Sequence, residues 1–447
     1  MLQRFIEKVT YPLWDFKDHS RRLAEYSALK LSQWYSAEEL QSFQNERLRW
    51  ILRYCYEHVP AYRSGWSDVV ENIRLDNGDA IRYLPVIDKT DIRARPADFL
   101  SDKYRRDDLI SAATGGSTGS PLRVWFDRLC EEKRNAAAMR SDYWAGWRLG
   151  MWIGAIWGTP PEPQTAKEKF RNEFHDRIVY LDTMRMDEDS MGTFLTRMRR
   201  KRDYALFGHA HSLFLLACFA RDNSIGTPEP KAIISTSMML QEPQRRVIET
   251  VFGTPVSNRY GCEEVGLIAS ECEAHDGMHI CAEHVLVEVL DDDDVVVPAG
   301  EEGRIVLTDL NNLGMPLIRY DVGDRGIVSD EKCACGRLLP LIRRLLGRTA
   351  DALIRKDSSR VAGVSLVEKT VTAIDGVEQL QIIQESFDLF SLNAVLSGDN
   401  ETAKSQLKTA IADVFGKDVI TIVNVVSQLD QDRSGKYRFA ICKVSDG

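Results

Sequence analysis

Short β-rich runs alternate with helical patterns through the middle of this chain, and that alternation limits its fold more than any other feature. The runs are Leu122–Phe126, Trp152–Trp157, Arg177–Leu181, Ala205–Phe207 and Ala232–Ser235. Helical patterns such as Glu131–Trp144 and Gln244–Val251 separate them. Strands joined through helices form parallel sheets whose two faces are covered. The sequence therefore predicts an α/β protein with mostly parallel sheets.

The two ends of the chain differ from this middle part. Residues 1–85 have the spacing of helices, and we expect them to pack on a large domain at 86–347. Within that domain, runs such as Val285–Leu290 and Gly303–Leu307 lie between Asp- and Gly-rich turns. They predict an antiparallel, barrel-like β subdomain at about 265–346. Residues 351–447 predict a small α+β domain beyond a hinge near 347–351.

Size and charge narrow the class of protein. With 447 residues the chain is longer than the roughly 250–300 residues at which a single core stops growing. Hydrophobic residues make up 44% and charged residues 28%, which excludes a disordered chain. A net charge of −9 argues against nucleic acid or an anionic membrane as the main partner. A local basic pocket for a nucleotide remains compatible with it.

Cysteine usage and the apolar segments indicate a cytoplasmic protein. The nine cysteines are an odd number spread along a long chain, unlike a disulfide framework. The first eight residues carry charges where a secretory signal has an apolar stretch. The longest apolar run, Leu213–Ala220, is far shorter than a bilayer span. We therefore expect a reducing compartment and no membrane insertion.

A glycine-rich loop lies within Ser111–Leu122, between two apolar runs. Its glycines allow positive φ, so backbone N–H groups can surround an anion, and its hydroxyls add donors. Surface turns use the same residue types, so a plain turn remains an alternative. A Walker-type P-loop is excluded, because no lysine follows the last glycine. The loop residues that suit phosphate are Thr114, Gly115, Gly116, Ser117, Thr118 and Gly119.

Four further polar motifs follow this loop in a fixed order. They are Tyr260–Glu264, Tyr320–Asp324, Gly347–Asp351 and Asp432–Arg438. Each alone is compatible with a turn. Read in order as Y-G-x-x-E, Y-x-x-G-D, G-R-x-x-D and S-G-K-x-R, the set resembles the adenylate-forming superfamily of acyl-CoA synthetases, adenylation domains and luciferases.

Within that superfamily the chain looks most like the phenylacetate-CoA ligase branch and its CapK-like relatives. The segments that carry this likeness are His58–Arg63, Leu84–Lys89, Asn311–Tyr320 and Cys333–Arg337, and the resemblance runs from about residue 45 to 440. It implies a small C-terminal domain that swings about Asp351 between two half-reactions.

The resemblance also implies that the protein makes an acyl-AMP and pyrophosphate from ATP and a carboxylic acid. The glycine-rich loop would hold the departing phosphates. In the Tyr260-Gly261 pair, Tyr260 would lie against the adenine. Asp324 would accept hydrogen bonds from the ribose hydroxyls, and Arg348 would contact the ribose or a phosphate.

Two residues are implied in catalysis. Glu264 would bind Mg²⁺, which prefers carboxylate and phosphate oxygens. Glu263 stands where the family usually has threonine, and it competes with Glu264 for this role. Lys436, on a mobile loop, would bridge the attacking carboxylate and the α-phosphate and supply the ammonium that the glycine-rich loop lacks. Taken alone, Glu264 could also be a surface acid and Lys436 a solvated lysine.

A second site is predicted to be structural. Cys272, His279, Cys333 and Cys335 supply three sulfurs and an imidazole, a set suited to tetrahedral Zn²⁺. Four protein ligands close such a site, so the zinc would stabilise the β subdomain without taking part in catalysis. His275 and Cys281 are competing ligands, and reduced cysteines without metal are the plain alternative.

The sequence leaves the acid and the acceptor open. Trp157, His209 and His211 fall where the branch lines its substrate pocket, although a packing or pocket-wall role suits the histidines as well. Ser358 replaces a glycine that borders the thiol tunnel of CoA-using relatives, so the acceptor is CoA or else an amine or hydroxyl. An inactive zinc-stabilised nucleotide-binding protein is the third reading. The oligomeric state is open too, with a homodimer as one option.

Overall fold

Nineteen strands are found in the part of the chain that the structure, a computed structural model, describes: residues 2–70, 75, 78–113, 122–158, 165–183, 186–226, 228–348, 352–357, 360–397, 400–429 and 438–444. They are β1 Ile110–Ala113, β2 Arg123–Phe126, β3 Trp152–Trp157, β4 Ile178–Asp182, β5 Tyr204–His209, β6 Ala232–Thr236, β7 Val256–Cys262, β8 Gly266–Glu271, β9 Met278–Ile280, β10 Val285–Leu290, β11 Glu302–Asp309, β12 Tyr320–Ser329, β13 Leu341–Arg348, β14 Ala352–Ile354, β15 Arg360–Ala362, β16 Val377–Ser386, β17 Leu389–Leu396, β18 Ile420–Val425 and β19 Ala440–Cys442.

Fourteen α-helices accompany these strands over the same described ranges. They are α1 Leu2–Phe5, α2 Tyr11–Lys17, α3 Arg22–Ser32, α4 Ala37–His58, α5 Pro60–Gly65, α6 Ser67–Val70, α7 Lys89–Ala94, α8 Arg128–Ala145, α9 Ala166–Arg171, α10 Glu188–Arg199, α11 Ala210–Asp222, α12 Glu242–Phe252, α13 Gly363–Ala373 and α14 Asn400–Phe415. π-helical turns at Ile6–Thr10 and Asn172–Asp176 and 3₁₀ turns at Gly78–Tyr83 and Arg106–Asp108 complete the set.

One eleven-stranded sheet forms the body of the protein, in the order β10-β11-β12-β13-β9-β8-β7-β6-β5-β3-β4. The last five strands of that order are parallel to one another. Every residue of β6 is buried, as expected for a central strand with helices on both faces. The predicted α/β class is thus confirmed, and β3 has the predicted bounds.

Leu122–Phe126 was expected among the parallel strands, and this expectation is wrong. The strand in that segment, β2, pairs antiparallel with β1, from Ile110 opposite Phe126 to Ala113 opposite Arg123. Only a short connection joins the two strands, whereas parallel neighbours need a crossover of a dozen or more residues. The glycine-rich loop therefore joins the two strands of a hairpin outside the main sheet.

The barrel-like region predicted at about 265–346 is the antiparallel half of the large sheet. Strands β7 to β13 pair antiparallel, with bulges at several registers. Strand β7 belongs to both halves, because it lies parallel to β6 and antiparallel to β8. Residues at the end of β7 therefore lie where the two halves of the sheet meet.

The C-terminal residues form a smaller α+β unit. Its four-stranded sheet has the order β18-β17-β16-β19, and α13 and α14 pack against its strands. Leu353, Phe390 and Leu407 lie in its buried core, and Met238 and Met239 of the large sheet's β6–α12 connection pack against that core. The domain division itself, with a boundary near 347–351, stays a prediction.

None of the helices in the described ranges is long and apolar enough to cross a membrane.

Candidate active site and Cys/His cluster

The carboxyl ends of the parallel strands bring several predicted residues to one edge of the sheet. Trp157 ends β3, His209 ends its neighbour β5, and the Tyr260-Gly261 pair lies near the end of β7. Ligands of open α/β sheets bind at such an edge, where the order of the strands changes direction. The candidate site therefore lies at this edge, beside the junction with the antiparallel strands.

Tyr260 and Asp324 meet across that junction. The Tyr260 hydroxyl donates a hydrogen bond of 2.7 Å to Oδ2 of Asp324. Asp324 lies on β12 directly opposite Arg348, the last residue of β13. The structure thus brings together the two residues assigned to adenine and ribose. The Arg348 side chain lies outside the described part of the structure.

Gly261 is required by the close approach of β7 and β8. A Cβ at this position would lie 2.7 Å from the Gly266 carbonyl oxygen, which is closer than real side chains come. In the turn that follows, Glu263 is exposed to solvent, whereas Glu264 is buried, with only 2% of its surface exposed. The sequence did not separate the two carboxylates, and the fold does.

Glu264 is held by groups from three other elements. The Tyr320 hydroxyl donates to its Oε1 at 2.9 Å, and Lys89 Nζ lies 3.6 Å from the same oxygen. Arg134 of α8 donates to the backbone carbonyls of Glu263 and Glu264 at 3.2 and 2.7 Å. Burial, with the nearby Glu264 charge as a second cause, raises the pKa of Tyr320, so its hydroxyl stays a donor. A buried carboxylate is therefore fixed beside the Tyr260–Asp324 pair.

Lys89 is a candidate functional residue to which the sequence gave no role. Asp88 caps α7 by accepting from Thr90 N at 2.6 Å and Asp91 N at 3.0 Å, so Lys89 opens the helix. Ile87, just before it, bridges to Tyr320. This anchor brings Lys89 and Tyr320 to one carboxylate. The family-like segment Leu84–Lys89 was the available signal.

The predicted pocket residues form an aromatic wall. The Trp157 ring lies 4.4 Å from the His209 ring and 5.4 Å from that of Phe207, measured between centroids. His211 lies in the first turn of α11 and is 2% exposed. Burial lowers the pKa of His211 to about 3, so its imidazole is neutral. These positions favour a wall or packing role for His211.

Cys272, His279, Cys333 and Cys335 converge in the antiparallel half of the sheet, with all four ligand atoms within 4.8 Å of one another. The two sulfurs of Cys272 and Cys333 are 3.6 Å apart, and His279 Nε2 is 3.2 Å from the Cys335 sulfur. Ligand atoms around a tetrahedral zinc are about 3.7 Å apart if each bond is about 2.3 Å. The donor set and its spacing fit that ion.

The surroundings of this cluster orient its ligands. His279 Nδ1 faces the Leu339 carbonyl oxygen at 3.3 Å, an arrangement typical of a metal-binding histidine. Burial lowers the pKa of His279 to about 4, which leaves the imidazole neutral. The competing ligands lie elsewhere, since His275 Nδ1 faces Glu271 at 3.3 Å and the Cys281 sulfur faces Arg140 at 3.6 Å.

The remaining predicted residues cannot be placed. Lys436, the hinge residue Asp351, Ser358 and the whole phosphate loop Thr114–Gly119 lie outside the described residues. Their roles stay predictions.

Comparison with known proteins identifies the class of enzyme whose fold this is. The structure of 2-hydroxyisobutyryl-CoA ligase with an acyl-AMP matches 95% of this chain and 92% of its own, with a TM-score of 0.73 and 19% identity. ATP-bound MatB from Rhodopseudomonas palustris matches 76% of this chain and 68% of its own, with a TM-score of 0.53 and 17% identity. The fold is that of the adenylate-forming acyl-CoA ligases, as the ordered motifs predicted.

Within that class the similarity narrows to one branch. Phenylacetate-coenzyme A ligase from Thermus thermophilus is 25% identical over 413 residues, covering 86% of this chain and 84% of the relative. The enzyme of that name from Aromatoleum evansii is 26% identical over 357 residues, covering 74% of each chain. Residues 353–443 match the CapK C-terminal domain. The chain is thus similar to phenylacetate-CoA ligases over most of its length, and its C-terminal part matches the CapK C-terminal domain.

Proposed function

We propose that this protein is an AMP-forming carboxylate ligase, which adenylates a carboxylic acid with ATP and passes the acyl group to CoA. The main structural support for this proposal is that Tyr260, Asp324 and the buried Glu264 converge at the carboxyl edge of the sheet. These are the motif residues that the superfamily resemblance assigns to nucleotide and Mg²⁺ binding. The phenylacetate-CoA ligase homologues support the same reaction.

The Tyr260–Asp324 hydrogen bond suits nucleotide binding. It fixes the phenol ring where an adenine could stack, and the Asp324 carboxylate would accept hydrogen bonds from the ribose hydroxyls. Arg348, opposite Asp324 in register, would add positive charge near the sugar or phosphates. In this assignment the two strands β12 and β13 position the nucleoside.

Glu264 is the better candidate for the Mg²⁺ ligand. Tyr320 and Lys89 hold Oε1, so Oε2 can face a cation while the carboxylate keeps one orientation. Mg²⁺ bound there would neutralise charge on the phosphate oxygens. Lys89, one-third exposed, would place a second positive charge near those oxygens.

Lys436 and the phosphate loop complete the proposal through the resemblance. Lys436 would bridge the attacking carboxylate and the α-phosphate, and the hydroxyls of Thr114–Gly119 would grip the departing pyrophosphate. Gln381 Nε2 donates to the Arg438 carbonyl oxygen at 2.8 Å, which ties the chain just after Lys436 to the C-terminal sheet. A swing of that sheet about Asp351 would therefore carry the lysine with it.

For the Cys/His cluster we propose one structural zinc ion held by Cys272, His279, Cys333 and Cys335. The cluster joins the β8–β9 region to the chain between β12 and β13. Its four protein ligands leave no open position for substrate. Zinc would therefore stabilise the antiparallel half of the sheet and leave the chemistry to the carboxyl edge.

Product analysis tests the proposed acceptor. Protein is incubated with ATP, Mg²⁺ and a panel of carboxylic acids, with and without CoA, and the products are identified by mass spectrometry. An acyl-CoA thioester and AMP are expected. Accumulation of acyl-AMP while CoA is not consumed would favour an amine or hydroxyl acceptor. The serine at position 358, where CoA-using relatives have glycine, would agree with that result. Absence of both products would favour an inactive nucleotide-binding protein.

The cytoplasmic location and the oligomeric state stay predictions.

A further inference from the structure

The N-terminal helix is apolar on the side that faces solvent. Residues 2–17 form one continuous helix, because α1, the π turn and α2 follow one another with helical backbone angles at each junction. Four large side chains spaced along it are exposed: Leu2 by 42%, Phe5 by 50%, Leu13 by 62% and Phe16 by 79%. Solvent-facing helix surfaces are normally polar. We call these four residues, with the neighbouring Phe170 of α9, the apolar ridge.

The opposite side of this helix already has its partners. Thr10 Oγ1 donates to the Phe174 carbonyl oxygen at 3.2 Å, and the Tyr11 ring stacks on His175 at 4.4 Å. Trp14 also contacts His175, with ring centroids 4.8 Å apart. The helix is thus docked through its inner side, and the apolar ridge is not needed to hold it in place.

Phe170 adds an exposed apolar side chain from a second element. It is 64% exposed and lies one turn before Phe174, with ring centroids 4.6 Å apart. Because Phe174 accepts the hydrogen bond from Thr10, Phe170 lies beside the N-terminal helix. Exposed apolar patches of this kind mark surfaces that bind a partner or a membrane.

Positive charge surrounds the ridge, although the whole chain is acidic. Residues 2–22 and 165–177 hold nine Lys or Arg and six Asp or Glu, whereas the net charge of the protein is −9. Lys8 and Arg171 are among the exposed cations, with side chains 75% and 52% exposed. The exposed acids Asp18, Glu168 and Glu173 do not cancel the excess. The complement of this surface is apolar and negatively charged.

We propose that the apolar ridge binds the surface of an anionic lipid bilayer, with its Phe and Leu side chains in the acyl-chain boundary and the surrounding cations against the headgroups. An interfacial helix with Phe or Leu on one side and Lys or Arg beside it has these properties. A second copy of the chain is the poorer partner, because two such faces would bring like charges together.

This binding mode leaves the candidate active site accessible. The N-terminal helix packs at the amino ends of the parallel strands, where Gln3 lies against Gly150 just before β3, and His175 just before β4. The candidate active site lies at the carboxyl ends. The protein would therefore bind the bilayer through one edge of the sheet and expose the other.

Vesicle co-sedimentation of the full chain tests this proposal. The probes are vesicles of phosphatidylcholine alone and of phosphatidylcholine mixed with roughly one-third phosphatidylglycerol, which gives an anionic surface. Binding is expected only with the anionic vesicles, weaker at high salt, and at least roughly tenfold weaker for the double variant Leu13→Asp with Phe16→Asp. Ile420→Asp is the matched control, since Ile420 is also 62% exposed but lies on β18.

Thermal unfolding of each variant shows that it is folded, without reliance on the proposed enzymatic function. Absence of binding to anionic vesicles, or undiminished binding by the double variant, would overturn the proposal. A homodimer in sedimentation velocity that the double variant dissociates, without vesicle binding, would assign the ridge to a second copy instead and also overturn it.

Discussion

The Tyr320 hydroxyl, at the start of β12, donates a hydrogen bond of 2.9 Å to the buried carboxylate of Glu264, in the turn between β7 and β8. This contact fixes one oxygen of the proposed Mg²⁺ ligand. Because the carboxylate is 2% exposed, little water can replace the phenol as a donor.

Tyr320→Phe should therefore impair adenylation. A hydrogen bond to a charged group is worth roughly 1.5–3 kcal/mol, so acid-dependent pyrophosphate exchange should fall about 10- to 100-fold. Tyr62→Phe is the matched control, since Tyr62 is also buried and its hydroxyl donates to the Pro316 carbonyl oxygen at 3.0 Å. Equal losses of exchange in the two variants would show that only general stability was affected.

Asp324→Asn should weaken ATP binding. The amide can still accept from Tyr260, but it loses the charge that favours the ribose hydroxyls. The KM for ATP should rise by roughly 5- to 50-fold, which corresponds to 1–2.5 kcal/mol, with a smaller change in kcat. Asp321→Asn, on the same strand and paired with Arg304 at 2.7 Å, should leave the KM unchanged. A KM effect confined to Asp321→Asn would contradict the assignment.

Lys89→Met should lower exchange about 3- to 30-fold, because it removes a cation 3.6 Å from Glu264, the proposed Mg²⁺ ligand. Steady-state kinetics over a range of Mg²⁺ concentrations would measure the effect. Full activity at all Mg²⁺ concentrations would exclude Lys89 from the site.

The burial of His211 should make the protein less stable to unfolding in acid. Burial lowers the pKa of folded His211 to about 3, whereas the unfolded value is near 6.5. The folded imidazole therefore stays neutral down to about pH 3, whereas His211 of the unfolded chain takes up a proton below about pH 6.5, so stability is lost as pH falls from 6.5 toward 3. Between pH 7 and 5 this should cost roughly 2 kcal/mol, and His211→Gln should lose about that much less in urea unfolding. Identical losses in both proteins would contradict the burial argument.

Loss of the zinc ion should lower the stability of the fold more than it lowers the rate of adenylation. Cys335→Ser should abolish bound zinc and lower the melting temperature, while Cys281→Ser should keep about one equivalent, because Cys281 faces Arg140 and not the cluster. Atomic absorption and thermal unfolding measure both effects. Zinc retained by Cys335→Ser, or less than about half an equivalent in the wild type, would count against the site.

The sequence was sufficient to predict features that are set by short, local patterns of residues. The limits of β3 and β10 followed from apolar runs. The four cluster ligands were proposed from their residue types, although His275 and Cys281 remained competitors until the fold separated them. These features depend on short stretches of chain or on chemistry that few residues possess.

The sequence could not predict contacts that depend on which distant segments of the chain pair with one another. Lys89 reaches Glu264 only because Ile87 bridges to Tyr320, more than two hundred residues away. The burial of Glu264 and the exposure of Glu263 depend on how Arg134 holds their turn. Which side of the N-terminal helix meets solvent is likewise set by His175, far along the chain.

ATP–pyrophosphate exchange across a panel of carboxylic acids measures the proposed adenylation itself. The wild type should exchange pyrophosphate into ATP only when a suitable acid is present, and Lys436→Ala should lose at least about 100-fold of that activity while still binding ATP. No exchange with any acid, or exchange undiminished in Lys436→Ala, would contradict the account.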